Sequence, residues 1–195
     1  MDHHIGRLMQ KLSEWGLADN TMVIFTSDNG PWHLKLRGDN PVSQHNRAGN
    51  PGPLRGQKTE TWEGGCRTPF VIKAPGLTPA GTETDEIIRI VDLLPTFSAL
   101  TGAKNPSAKI DGVSQLPLLT GTSQKSAVDY HFYYFQNHLQ AVRNDRYKLV
   151  LPRHAFAPWA YGKQKMNEGG QSKNITDYAL YDMKTDVGET TNIAS

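Results

Sequence analysis

Asp28 and Asn29 stand side by side in Thr26-Ser27-Asp28-Asn29-Gly30, a carboxylate next to a side-chain carbonyl where a short apolar run ends in a turn. Two oxygens aimed at one point suit a hard cation, Ca²⁺ or Mg²⁺. Taken alone, the stronger reading of Asp28-Asn29-Gly30 is a common turn sequence whose side chains bond to their own backbone. A second pattern runs Gly56-Gln57-Lys58-Thr59-Glu60-Thr61-Trp62-Glu63-Gly64-Gly65-Cys66-Arg67-Thr68-Pro69. Gly64 and Gly65 between Glu63 and Arg67 read as a tight backbone feature pinned by an ion pair, and Lys58 can offer a mobile positive charge to an anion. From spacing alone, Lys58 is a solvated surface lysine. Asp92, in Val91-Asp92-Leu93-Leu94-Pro95-Thr96, reads as a helix cap rather than a catalyst.

The elements that must position these residues alternate in type. Ile5, Leu8, Met9, Leu12 and Trp15 recur every three or four residues, so residues 1–16 read as an amphipathic helix with Asp2 as N-cap and Gly16 just past its end. Residues 21–27 are β-branched and aromatic, the mark of a strand buried on both faces of a parallel sheet, and in such sheets ligands bind beyond the strands' carboxyl ends. Asp28 and Asn29 sit there. Residues 31–56 form a long polar loop, read as a site wall. Residues 70–74 and 87–91 are further strands, and Asp92 opens a helix carrying Leu93, Leu94, Phe97 and Leu100, closed by Gly102. From about Asp129 the texture turns aromatic and alternating, predicting antiparallel strands at residues 130–135, 140–143, 147–151 and 178–182 around the tight turn Asn144-Asp145-Arg146.

Composition narrows the function classes. With 21 Lys and Arg against 19 Asp and Glu, the net charge of +2 gives no basic surplus for a nucleic-acid backbone. No apolar run, Met22 to Phe25 and Phe132 to Phe135 among them, exceeds four residues, against the roughly 20 of a membrane helix. The single cysteine, Cys66, excludes an intrachain disulfide and a thiolate metal cluster. No export signal is visible at the N-terminus.

Together and in this order, these segments resemble the sulfatase family of the alkaline-phosphatase-like superfamily, the arylsulfatase A type most of all. The resemblance rests on the helix at residues 1–16, the strand ending in Ser27-Asp28-Asn29-Gly30-Pro31, Leu54-Arg55-Gly56-Gln57-Lys58 running into Trp62-Glu63-Gly64-Gly65-Cys66-Arg67-Thr68-Pro69, Val91 to Thr96, and Leu180-Tyr181-Asp182 leading to Asn192-Ile193-Ala194. It implies an α/β fold: part of a mostly parallel sheet with flanking helices, residues 1–128 being the C-terminal part of the catalytic domain and 129–195 a truncated antiparallel subdomain. It gives Asp28 and Asn29 the role of ligands to a divalent cation, Ca²⁺ rather than Mg²⁺, and Lys58 a contact to the sulfate group. Such an arrangement neutralises sulfate oxygens and the charge that develops as the S–O bond breaks.

The chain departs from the family at the nucleophile. Sulfatases use a formylglycine made from Cys or Ser in a C/S-x-P-x-R segment; here no serine has proline two residues later, and Cys66 has it one place too late. The resemblance therefore implies the C-terminal portion of a sulfatase whose formylglycine lies in a missing N-terminal region, acting on an aryl or carbohydrate sulfate. By the same resemblance, a periplasmic, secreted or lysosomal setting is expected. His33 and His154, with Trp32, His45, Arg47 and Trp159, are weak candidates for the substrate pocket. Two alternatives stay open: a phosphatase, phosphodiesterase or phosphotransferase of the same superfamily, against which the Lys58 to Arg67 segment argues, and an inactive truncated module. Neither nucleic acid nor a membrane span is expected, and the oligomeric state is open.

Overall fold

A computed structural model describes residues 1–31, 49–152 and 175–194. Contacts divide the chain into two compact units, Met1–Thr26 with Phe70–Asp129, and Ser27–Pro69 with Tyr130–Ser195.

In the first unit, α1 (Asp2–Glu14) is the amphipathic helix that the spacing predicts. Its end is a complete Schellman closure: Gly16 N donates to Ser13 O at 3.1 Å and Leu17 N to Leu12 O at 2.9 Å, with Gly16 at φ 67°. Asp2, expected as the N-cap, lies inside the first turn, where its charge still suits the helix dipole, and Met1 occupies the cap position. A 3-10 turn (Ala18–Asn20) leads to β1 (Val23–Thr26).

β1 pairs with β2 (Phe70–Lys73) antiparallel, from Val23 opposite Lys73 to Thr26 opposite Phe70, which corrects the expected parallel arrangement of these two strands. The physical reason is that an unbroken apolar run shows only that both faces can be covered; it carries no information on which way the neighbouring strand runs. Residues 87–91, expected as a strand, are irregular until a 3-10 turn at Ile90–Asp92.

Asp92 is fully buried, and its carboxylate turns back rather than capping α3 (Leu93–Thr101). It accepts from Arg89 N (2.9 Å), Arg89 Nε (3.1 Å), Arg89 Nη2 (2.7 Å) and Val113 N (2.9 Å). Thr96 Oγ1 donates to Asp92 O and accepts from Gln115 N at 2.9 Å, tying α3 to the short α4 (Leu116–Leu119). The faces that α3 buries are Pro95, Thr96 and Ser98, while Leu94, Phe97 and Leu100 are exposed.

In the second unit, one turn of helix, α2 (Glu63–Cys66), follows the lysine segment. Four strands form an antiparallel sheet in the order β3 (His131–Phe135), β4 (His138–Arg143), β5 (Tyr147–Val150), β6 (Ala179–Asp182), as the alternation predicts. Cross-strand pairing lays Tyr133, Ala141, Val150 and Ala179 in one row; a second row on the same face is His131, Arg143, Lys148 and Tyr181. The first row packs with Trp62, Tyr181 and Met183 to form the unit's core.

Candidate functional site

Beyond β1 the backbone turns at once. Ser27 Oγ donates to Asn29 O at 2.9 Å and Asn29 Nδ2 to Gly30 O at 2.9 Å. This commits the amide nitrogen of Asn29 as a donor and leaves Oδ1 as the atom with which that side chain can meet a cation. Asp28 is exposed and Asn29 half-buried.

Gly30 then lies directly on the glycine pair of α2. Its N–H donates to Gly65 O at 3.0 Å, and a Cβ placed on it would stand 1.7 Å from Gly64 O. Gly64 and Gly65 are equally crowded, with hypothetical Cβ atoms 2.5 Å from Arg55 O and 2.1 Å from Glu60 O. These glycines serve close backbone stacking. One residue on, Lys58 N donates to Pro31 O at 2.9 Å. The Asp-Asn-Gly segment and the lysine segment, distant in sequence, are thus bonded along their backbones.

Lys58 is half-buried in a turn closed by Glu60 N donating to Gln57 O at 3.0 Å, with Thr59 at φ 75°. That is the geometry of a type II turn with Lys58 at its second position and a β-branched residue where glycine is favoured. The buried Glu60 carboxylate accepts from Gln57 N at 3.1 Å, and Thr61 Oγ1 donates to Gln140 Oε1 at 2.8 Å.

Behind this turn is a buried ionic network whose members, apart from Glu63, the sequence patterns do not single out. Glu63 accepts from Arg143 Nη1, from Tyr133 Oη at 2.6 Å and from Lys148 Nζ at 3.1 Å. Lys148 Nζ also lies 2.8 Å from Glu189 Oε1 and donates to Thr61 O at 2.8 Å, and Glu189 Oε2 accepts from Glu63 N at 2.7 Å. Two acids balance two bases, as burial of charge requires. Burial alone would raise the Glu63 carboxyl; Lys148, Arg143 and the Tyr133 hydroxyl outweigh it and hold it below its ordinary value. For Glu189, burial outweighs Lys148 and the carboxyl is raised. Burial, then the Glu63 carboxylate, pushes the Tyr133 phenol well up. The expected Glu63–Arg67 pairing is corrected here: the partners of Glu63 are Arg143 and Lys148, and Arg67 is exposed, its N–H donating to Glu63 O at 2.7 Å. The visible signal for Lys148 was a lysine inside the apolar alternation of Tyr147 to Leu151.

Cys66 keeps an exposed edge, and its Sγ donates to Glu60 O at 3.4 Å. Desolvation of the thiol pushes its pKa up to about 11, far from an activated nucleophile. Among the described residues no three His, Cys, Asp or Glu side chains group as a metal site. The donor chemistry of Asp28 and Asn29 fits a hard cation, but two oxygens are only part of the six to eight that Ca²⁺ takes. His33, His154 and the other pocket candidates lie outside the described residues.

The family profile described as Sulfatase matches residues 1–103, and that described as N-sulphoglucosamine sulphohydrolase, C-terminal, matches 57–167. Rattus norvegicus steryl-sulfatase is 38% identical over 73% of this chain and 24% of its own length, and human arylsulfatase A is 33% identical over 99% of this chain and 37% of its own. The chain therefore spans about a quarter to about two fifths of the relatives it matches. Among solved structures, a Bacteroides thetaiotaomicron protein titled for the metabolism of multiple glycosaminoglycans superposes with TM-score 0.76 at 27% identity, covering 99% of this chain and 39% of that one. Another, solved with its substrate D-glucosamine-2-N,6-O-disulfate, gives 0.63 at 26% identity over 98% and 33%. The neighbours share the alkaline-phosphatase-like α/β fold, here with mixed helices and antiparallel sheets. No described helix is long and apolar enough to cross a membrane. A profile match over more than half of the residues, beginning at α1 and running through the stacked Asp28 and Lys58 segments, leaves one assignment: this chain belongs to the sulfatase family.

Proposed function

We propose that the chain forms one wall of the active site of a sulfatase that hydrolyses sulfate monoesters at a divalent-cation site. The observation that carries this is the backbone stacking of Asp28-Asn29-Gly30 on the Lys58 to Gly65 segment, which puts a pair of hard oxygens and a cationic turn on one small unit. Asp28 and Asn29 supply part of the shell of a hard cation, and the family resemblance makes that cation Ca²⁺ in preference to Mg²⁺. When bound, the cation withdraws electron density from the sulfate oxygens. Lys58 contacts the sulfate group and offsets the charge that develops on it. The nucleophile, a formylglycine, belongs to a region N-terminal to Met1, and residues 1–128 and 129–195 are respectively catalytic-domain and terminal-subdomain segments. Aryl or carbohydrate sulfates are the substrate class, in keeping with the sulfated glucosamine named for one structural neighbour, and the setting is periplasmic, secreted or lysosomal.

The test is Lys58→Ala in the full-length protein with a chromogenic aryl sulfate. Turnover should fall by the equivalent of about 3–4 kcal/mol in the transition state, by analogy with loss of an oxyanion-hole donor, while thermal stability changes little. An unchanged turnover number would return Lys58 to the solvated surface.

A further inference from the structure

Arg143 and Lys148 occupy directly paired positions on β4 and β5, on the face that carries the core of the unit. Like charges opposite one another on a sheet repel, and Lys148 is fully buried, so the pair needs a compensating reason to exist. The sheet core does not supply one. Both cations are instead directed at the segment around Lys58: Arg143 to Glu63, and Lys148 to Glu63, Glu189 and Thr61 O.

Thr61 is the first residue beyond the turn that presents Lys58. It is held twice, through its carbonyl by Lys148 of β5 and through its hydroxyl by Gln140 of β4. The turn between holds Thr59 at φ 75°, a conformation that a β-branched residue keeps only when its surroundings impose it. Glu189, at φ 52°, is likewise in the left-handed region while its carboxylate meets Lys148 Nζ and Glu63 N. Strain is thus stored on both sides of the same lysine, and no substrate atom is needed to account for Lys148 itself, whose ammonium donates to Thr61 O and Glu63 and forms an ion pair with Glu189.

We infer that Lys148 is a positioning residue that acts through Lys58: from the strand sheet it fixes the carbonyl after the strained turn, and so fixes where the Lys58 ammonium points. This rests on the reading of Lys58 as the sulfate contact. The test is a double-mutant cycle on turnover in the full-length protein, with Lys58→Ala, Lys148→Met and both together. Lys148→Met should lower kcat about tenfold or more with KM changed less than about threefold, and should cost less than about twofold further once Lys58 is already alanine. Equal fold losses in the two backgrounds would overturn the inference, since a group acting only on fold stability is indifferent to residue 58. Unchanged kcat in Lys58→Ala alone would instead strike the reading beneath it. Should Lys148→Met fail to fold, Lys148→Arg runs the same cycle, because it keeps the charge beside Glu63 and Glu189 while moving the donor that holds Thr61 O. Its expected loss is about threefold, absent in the Lys58→Ala background, and an additive result counts against the inference in the same way.

Discussion

At position 30 a single side-chain carbon decides whether the two motifs can meet. With 1.7 Å to Gly64 O there is no rotamer to adjust, so Gly30→Ala must separate the segments. The variant should lose about 3 kcal/mol or more, above the usual range for overpacking, and calorimetric melting of the full-length protein checks it. Glu63 makes a prediction in pH. Its native carboxyl lies below the ordinary 4.5, so its stabilising contribution is complete above that value and is lost as pH falls from there through the depressed native pKa. Glu189 is raised, and its contribution runs the other way, fading as pH climbs from the ordinary value through the native one. Glu63→Gln removes the first outright and lessens the second, because the Glu63 charge is among the causes that raise Glu189. Urea unfolding from pH 6 down to pH 3 should therefore show a shallower acid limb for this variant and, at pH 6, a loss of about 3 kcal/mol from the partly stranded Lys148 and Arg143. An acid limb identical to that of the parent would show that the network does not titrate through Glu63.

Between elements, a costly local geometry is the turn at residues 57–60, where a β-branched residue takes a positive φ. A left-handed conformation costs an L-residue about 1–2 kcal/mol, and glycine gives part of that back through the entropy of the unfolded chain. Thr59→Gly should therefore stabilise by about 0.5–1 kcal/mol, read as a raised denaturation midpoint with an unchanged m-value. A midpoint that falls would mean that the threonine side chain contributes more than its backbone costs. Helix α1 and strands β3 to β6 were legible because periods of 3.6 and 2 are properties of consecutive residues. The stretch before Asp92 was not: its β-branched residues satisfy a strand pattern, yet Arg89 and Val113 converge on the Asp92 carboxylate and close a 3-10 turn instead. The same bonds explain why Asp92, which does stand at the N-cap position of α3, spends its carboxylate as a buried anchor and not on capping that helix.

Across the whole chain, apolar surface stays exposed on several elements of the first unit, including Trp15, Phe25, Val71, Leu94 and Phe97. Exposed apolar faces of this kind and a two-stranded sheet with open edges favour association. Residues 1–195 expressed alone should therefore sediment as more than a monomer and show no arylsulfatase activity with Ca²⁺ supplied, since electrostatic stabilisation does not substitute for a positioned nucleophile. Activity of that purified chain, abolished by Asp28→Ala, would refute this. Calorimetry on the same material should find Ca²⁺ binding weak, because the two proposed ligands, Asp28 and Asn29, leave most of the shell to water.

The sequence by itself determined the family, the periodic elements, and Asp28, Asn29 and Lys58 as the residues to examine, since each of these is carried by neighbouring residues and by the order of segments. Tertiary structure decided the rest. Register set Arg143 opposite Lys148, and backbone stacking at Gly30 and Gly64 joined two motifs that are distant along the chain. It also decided that Glu63 meets those two cations in place of Arg67, four residues away: the helix ends at Cys66 and Arg67 is already extended, so its side chain leaves the face on which an i,i+4 pair would form.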